Sequence, residues 1–492
     1  MYPTLFLSCL VFLLYLLFLP ANPLPMFTDP DTYWHIASGD LIRELGALPE
    51  HDPWSFTAGN ERWYNIAWGW DVIMSAMYQC AGWHGVIALN SIFIAATLAV
   101  IFATCLIRAN DGISAFLATL LAAATLFNLS VRPHQVSLLL CGIFLLLLSQ
   151  ISRQRLSHRW LCIIPPCMVI WVNLHGGFLI GFFLLGIFGL ECMAEKNWRL
   201  FSWLFATGVA SLLACLINPY GIGIITGLLR TLNSNASTII REWQPLSFST
   251  ANNAILIYLF LFLALVMMRP LPLGKAEKWA AYTWLGLGLF SVRHLPVFAV
   301  ISAPLMALAL HRSCTHTQAS PHPMSPCLAK ICNIASRTVH NGFATITVML
   351  LAVASSLLIT TPVATHLYQN ESLNPLPDLS EEISYIETHH PGSRLLTSFN
   401  LGGPLIFLAR GKVPLFIDGR EATAYPQSLI HDYIAFHHAS PHWDVIFDRY
   451  HLEGALILSS DSALMDRFST RSGWHQAFRG KTATLFLMDN HP

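Results

Sequence analysis

Asp29-Pro30-Asp31-Thr32-Tyr33-Trp34-His35 stands a few residues beyond the first apolar stretch of the chain, Thr4 to Leu19. Carboxylates are costly beside hydrocarbon, so two of them just past a membrane exit mark a candidate functional site. The composition agrees with a polytopic membrane protein: of 492 residues, 54% are hydrophobic and 11% charged, against roughly a quarter charged in soluble domains. Acidic and basic residues balance at 27 each, so no electrostatic footprint of a nucleic-acid partner is present.

About eleven apolar windows approach the roughly 20 residues that a spanning helix needs. After Thr4 to Leu19 come Val86 to Ile107, Ile113 to Val131, Gln135 to Ile151, Trp160 to Val172 and Phe178 to Met193. Phe201 to Ile217, Ala254 to Met268, Trp279 to Ser291, Pro296 to Leu310 and Phe343 to Thr361 complete the series. The first window lacks basic residues at its start and reads as a retained anchor, not a cleaved signal. Threading the windows alternately puts Arg108, Arg153, Arg155, Arg159, Lys196, Arg199, Arg269, Lys275, Lys278, Arg312, Lys330 and Arg337 on one face, expected to be cytoplasmic. The opposite face receives Asp29 and Asp31, Arg132-Pro133-His134, Asn173 to Gly177, Asn218-Pro219-Tyr220-Gly221, Arg241-Glu242-Trp243 and Arg293-His294. One extracytoplasmic site assembled from several helix ends is therefore expected.

Beyond Pro362 the long apolar runs stop. Arg394 to Phe399, Val413 to Ile417, Ala455 to Leu458 and Thr484 to Met488 read as strands, and Asp378 to Thr388, Pro426 to His437 and Pro441 to Tyr450 as helices. The expected organisation is a mainly α transmembrane domain over 1–362, with a first outer loop over 21–67, and an extracytoplasmic α/β domain over 363–492. Gly402-Gly403 and Ile417-Asp418-Gly419-Arg420 follow strands, where loops can carry binding groups, although turn chemistry for the glycines and a salt bridge from Asp418 to Arg420 are the first expectation. All 11 cysteines precede residue 333, so the outer domain carries no disulfide. Cys314, Cys327 and Cys332, with His311, His316 and His322, fall in a long cytoplasmic loop with no zinc spacing.

Ala37, Leu41, Ile42 and Leu45 recur at helical spacing with Asp40, Arg43 and Glu44 between them, predicting a short amphipathic helix at the membrane surface. Asp29 suits its N-cap, Pro30 its first turn and Asp31 its dipole. Capping and a chemical role are compatible, because a capping position also fixes a carboxylate in space. Trp63, Trp68 and Trp70 are expected as interfacial anchors, and Asn218 to Gly221 as a helix terminator. Arg132 and Arg293 have an ordinary alternative in snorkelling, and His35, His134 and His175 in satisfied interface positions.

In their order, the Asp-x-Asp with its aromatic-His pair, Asp52-Pro53-Trp54-Ser55, Trp63 to Trp70, Arg132-Pro133, Trp171 to Gly177, Asn218-Pro219-Tyr220-Gly221, Glu242-Trp243, Arg293-His294 and Ile417-Asp418-Gly419-Arg420 resemble the GT-C superfamily of membrane glycosyltransferases. The likeness is greatest to the large bacterial set of poorly characterised members, and more distant to the protein mannosyltransferases and aminoarabinose transferases. It implies a GT-C-like fold in a bacterial inner membrane and a polyprenyl-phosphate-linked sugar as donor. It further implies inverting transfer to a glycan, lipid or protein acceptor on the outer side. The family's first-loop aspartate, general base or metal ligand, maps onto Asp29 or Asp31, and a divalent metal (Mg or Mn) bridged by the two is an open alternative.

An acceptor hydroxyl needs a carboxylate to take its proton, and a departing lipid phosphate needs fixed cations. Asp29 and Asp31 supply the first. Arg132, Arg293 and His294, then His134 and His175, are the candidates for the second, with His35 and Glu242 as further substrate contacts. A transporter of a lipid-linked saccharide or small solute, and a non-catalytic envelope-assembly protein, are the competing classes.

Overall fold

The computed structural model describes residues 29–126, 130–234, 240–247, 253–267, 274–316, 378–437 and 443–489. The first helix, α1 (Asp31–Leu45), begins where Pro30, at φ −64°, fixes a helical turn, and it ends where Gly46 turns left-handed at φ 64°. Asp29 serves the start as its sequence predicts: its Oδ1 accepts the Asp31 N–H at 3.0 Å. The expected amphipathic face is only partly right. Ile42 is buried, but Leu45 is 58% exposed, while Tyr33, Trp34 and Ile36 are buried too. The helix is an enclosed wedge, not a plank on the membrane surface, because α2 packs on one side of it and a C-terminal helix on another.

The helical bundle runs α2 (Trp68–Ala109), α3 (Gly112–Thr125), α4 (His134–Ser152), α5 (Ile164–Leu174), α6 (Leu179–Ala194), α7 (Trp198–Ala214), α8 (Ile224–Leu232), α9 (Asn253–Phe262), α10 (Lys275–Phe290) and α11 (Leu295–His316). Helix α2 is broken at Ala81 and Gly82, the latter at φ 57°. Asp111 caps α3 by accepting the Ser114 N–H at 3.0 Å. Four helical stretches among the described residues are long and apolar enough to cross a membrane: Trp68–Ala109, His134–Ser152, Gly176–Ala194 and Val292–Ser313. They mark the chain as an integral membrane protein.

Gly112–Thr125, Trp198–Ala214, Gly221–Leu232 and Ile255–Val266 are apolar but shorter. The windows Thr4 to Leu19 and Phe343 to Thr361 lie outside the described residues, as do Cys327, Cys332, His322 and the expected boundary at 362/363. Helix α11 continues through His316, past the loop start expected at Leu310.

The C-terminal part holds α12 (Ser380–His389), β1 (Leu395–Thr397), α13 (Gly402–Ala409), α14 (Gln427–His437), α15 (Trp443–Tyr450), β2 (Gly454–Leu458), α16 (Ser462–Ser469), β3 (Trp474–Arg479) and β4 (Ala483–Met488). The sheet order is β1-β2-β4-β3, with β1 parallel to β2 and the other pairs antiparallel. Its inner face packs into a core with Leu395, Leu456, Phe468 and Phe486.

Two expectations change here. Trp474–Arg479 is a strand that the sequence reading passed over, since its polar residues hide the alternation. Val413 to Ile417 forms no strand of the sheet, because its backbone is taken by the first outer loop: Leu415 N–H donates to Trp54 O at 3.2 Å, and Phe56 N–H to Leu415 O at 3.1 Å. That loop is thereby stitched to the C-terminal part, and Trp34 and Trp63 belong to its core.

Candidate active site

Arg420 is the deepest tie between the two regions. It is fully buried and pairs with Asp418 at 2.7 Å and with Asp52 of the first loop at 2.7 Å. Its guanidinium also lies over Trp54 and Trp63, at 4.7 and 4.9 Å from the ring centroids. The salt bridge expected between Asp418 and Arg420 is thus present, with a third member that the sequence reading did not name. Trp63 and Trp70 are each about 1% exposed or less, and Trp68 Nε1 donates to Asn173 Oδ1 at 3.0 Å. Trp63 and Trp70 are core side chains, not boundary anchors, and Trp68 is half-buried.

Glycines let the C-terminal part reach the Asp29-Pro30-Asp31 segment. A side chain at Gly403 would strike Pro30 O, and one at Gly419 would strike the Asp31 carboxylate and stand 3.3 Å from Trp34 Nε1. Only a bare backbone fits against the acidic pair at these two places.

Arg132 enters from the residues just before α4, where Pro133 ends the loop and fixes the helix start. Its guanidinium reaches Asp29 Oδ1 at 2.8 Å, Asp31 Oδ2 at 3.0 Å and Glu242 Oε1 at 2.7 Å. Asp31 also accepts Trp34 Nε1–H at 3.1 Å. Burial pushes the Asp29 carboxyl up, but the charge and hydrogen bonds of Arg132 outweigh it and hold the group below the usual range. Asp31 is pushed up to about 6 by burial and by its neighbour Asp29, against the pull of Arg132.

Around this cluster is a cavity of about 580 Å³, whose polar lining includes Asp31, His35, Arg132, His134, His175, Glu242, Arg293, His294 and Glu421. Leu138, Leu179, Ile180, Phe183, Trp284 and Leu295 line the rest. Of the residues expected from the sequence, only Asp29 does not line the cavity, and it touches the cluster through Arg132. Arg293 stacks on Trp243 at 4.1 Å from the ring centroid and makes no ion pair among the described residues.

His175 caps the turn before α6. Its Nδ1 accepts the Gly177 N–H at 3.1 Å and lies 2.6 Å from Ser137 Oγ, which itself accepts Trp171 Nε1–H at 2.7 Å. An accepting Nδ1 places the ring proton on Nε2. His35 Nδ1 meets Asp71 Oδ1 at 2.5 Å, and Asp71 Oδ2 accepts from Asn65 at 2.7 Å. The terminator at Asn218 forms as expected, with its side chain accepting the Tyr220 N–H at 2.8 Å. Tyr220 Oη in turn accepts the Asn65 N–H at 2.9 Å.

Asp71 and Glu421 were missed by sequence reasoning. A carboxylate in the first turn of a membrane helix was a signal for Asp71. Glu421 had none, since its place depends on the C-terminal part folding back. It takes left-handed backbone at φ 48°, and burial, with the charge of Asp31, pushes its carboxyl up to about 8.

The metal alternative meets a poor donor set. Asp29 and Asp31 both turn on Arg132, and among the described residues no three His, Cys, Asp or Glu side chains gather as a metal ion requires.

Two solved structures share this architecture. The oligosaccharyltransferase of Archaeoglobus fulgidus, tethered with an acceptor peptide containing the NVT sequon, matches with a TM-score of 0.51 at 11% identity, over 92% of this chain and 69% of that one. The arabinofuranosyltransferase AftD from mycobacteria matches with a TM-score of 0.51 at 15% identity, over 99% of this chain and 40% of that one. The fold is GT-C-like. At such identities the likeness is one of fold, and the chain spans well under half the length of AftD. No protein-family model matches, and no curated protein matches in sequence.

Proposed function

We propose that the protein is a glycosyltransferase that moves a sugar from a polyprenyl-phosphate donor to an acceptor hydroxyl at the extracytoplasmic face, with inversion. The observation that carries this is the cavity itself: carboxylates (Asp31, Glu242, Glu421), Arg132 and Arg293 line it together with apolar side chains of the spans.

The prenyl chain follows the apolar lining, and the phosphate lies with Arg293, His134 and His294. Arg132 does not take the phosphate, although its type suggested it. Three carboxylates share its one charge, so its task is to hold Asp29 and Asp31 in place. Arg293, stacked on Trp243 and without an ion pair among the described residues, is the cation left for the leaving group. Three helical stretches begin at this end, at His134, Gly176 and Val292, and their dipoles add positive potential there.

In the reaction the acceptor O–H gives its proton to Asp31 as its oxygen bonds to the anomeric carbon. The bond from that carbon to the phosphate oxygen breaks, and its electron pair leaves with the phosphate. Asp31 is the base, because Asp29 is held ionised by Arg132 and lies outside the cavity lining.

Incubation of the purified protein with a panel of polyprenyl-phosphate sugars and mixed acceptors, read by mass spectrometry, tests the reading. A glycosylated product supports it, and an inert panel with bound donor counts against the enzyme.

A further inference from the structure

A second cavity, about 800 Å³, lies across the acidic cluster from the first. Asp31, Arg132, Glu242 and Glu421, together with Ile255 and Val292, line both cavities and form the partition between them. Arg293, His134, His175 and His294 line only the first. The second is completed by Ser398, Phe399 and Asn400 between β1 and α13, Tyr433 on α14, Asp461 at the start of α16 and Gln244 in the segment before α9.

Charge differs across the partition. Asp29, Asp31 and Glu242 share the single guanidinium of Arg132, and on the second side Asp461 adds another acid, with His437 as the further basic side chain and no arginine besides Arg132 in the lining. An anionic ligand is disfavoured there. Gln244 and Asn400 are exposed to this side, and neither side chain makes a hydrogen bond among the described residues. A carboxamide both donates and accepts, as a sugar hydroxyl does, and the half-buried Phe399 adds aromatic surface for the C–H face of a ring. Among the described residues, the one strand residue that lines this cavity is Leu458 of the inner strand β2, so an extended peptide finds no open strand edge there. The N–H groups of Ser398, Phe399 and Leu458 are already bonded, to Leu456 O at 3.1 Å, Tyr433 Oη at 2.8 Å and Ser398 Oγ at 3.1 Å.

Direct displacement brings the incoming hydroxyl in opposite the departing phosphate. With the phosphate in the first cavity, the hydroxyl arrives from the second, and Asp31 on the partition faces both. We propose that the second cavity is the acceptor site and that its ligand is a neutral saccharide. This inference rests on the glycosyltransferase reading, and it narrows the acceptor from glycan, lipid or protein to one class.

The test is equilibrium binding to the full-length protein in nanodiscs. The probes are neutral oligosaccharides, uronic-acid oligosaccharides, hydroxyl- and amide-bearing peptides, and undecaprenyl phosphate. The expected result is binding of a neutral oligosaccharide that weakens at least about fivefold in Asn400→Ala and Gln244→Ala. Undecaprenyl phosphate affinity should stay unchanged in both and fall in Arg293→Ala. Preference for a peptide or an acidic saccharide, or neutral-saccharide binding indifferent to both substitutions, overturns the inference, as does undecaprenyl phosphate binding with no neutral saccharide bound. In each of those cases the donor reading survives. Failure of the undecaprenyl phosphate arm itself removes the donor reading, and this inference falls with it.

Discussion

Asp31 has a carboxyl pushed up to about 6, and a base works only when ionised. The rate of transfer is therefore expected to rise with pH through about 6 and level off above it, measured as kcat/KM against pH. Arg132 is the cation that pulls this value down. Arg132→Gln should move the limb upward by at least about one pH unit, on the usual effect of a neighbouring arginine, while a limb left in place contradicts the clamp. Arg420 makes a different kind of demand. Its removal leaves Asp52 and Asp418 buried without their shared partner, so Arg420→Ala should cost about 3–5 kcal/mol of stability, read as a lowered melting temperature in detergent. An unchanged melting temperature would show that the triad holds nothing together.

Helix α1 and the turn around Gly419 show how elements make the site. The start of α1 was legible because Asp29, Pro30 and Asp31 each favour a helix start for a separate local reason, and local preferences survive folding. Its burial was not legible, since it depends on α13 and the 413–423 segment arriving from the far end of the chain. Val413 to Ile417 illustrates the same limit: an apolar run specifies burial, but not which backbone will bond to it. Gly419→Ala places a methyl against the Asp31 carboxylate. The expected result is a fall in kcat of about 10²-fold, the scale of an ångström-sized misplacement, with donor affinity retained. Wild-type kcat from this variant would mean that the close approach does not position Asp31.

Across the whole molecule, Asp31, Arg132, His134, His175, Glu242, Arg293 and His294, which the positive-inside count assigned to one face, line one cavity although they come from segments far apart in sequence, whereas Asn218 to Gly221 do not line it. That grouping was readable because charge placement along membrane helices is constrained by the bilayer, so arginines and aspartates sort by end. Glu421 and the second cavity were not readable, because no rule of spacing connects the C-terminal part to the first loop. At the other end, Arg108 and Arg153 gather on Glu277, Arg153 at 3.4 Å. Impermeant maleimide should accordingly label His475→Cys from outside the cell and Lys196→Cys only after permeabilisation. Labelling in the reverse sense would invert the topology.

The proposed transfer beside Asp31 is chemistry, not passage. Its most direct test is the single-turnover rate of sugar loss from a polyprenyl-phosphate donor, for wild type and Asp31→Asn, with donor affinity measured in both. The expected result is donor affinity within about twofold and a rate lower by about 10²–10⁴-fold, the range of general-base contributions. Transfer at the wild-type rate by Asp31→Asn would contradict it.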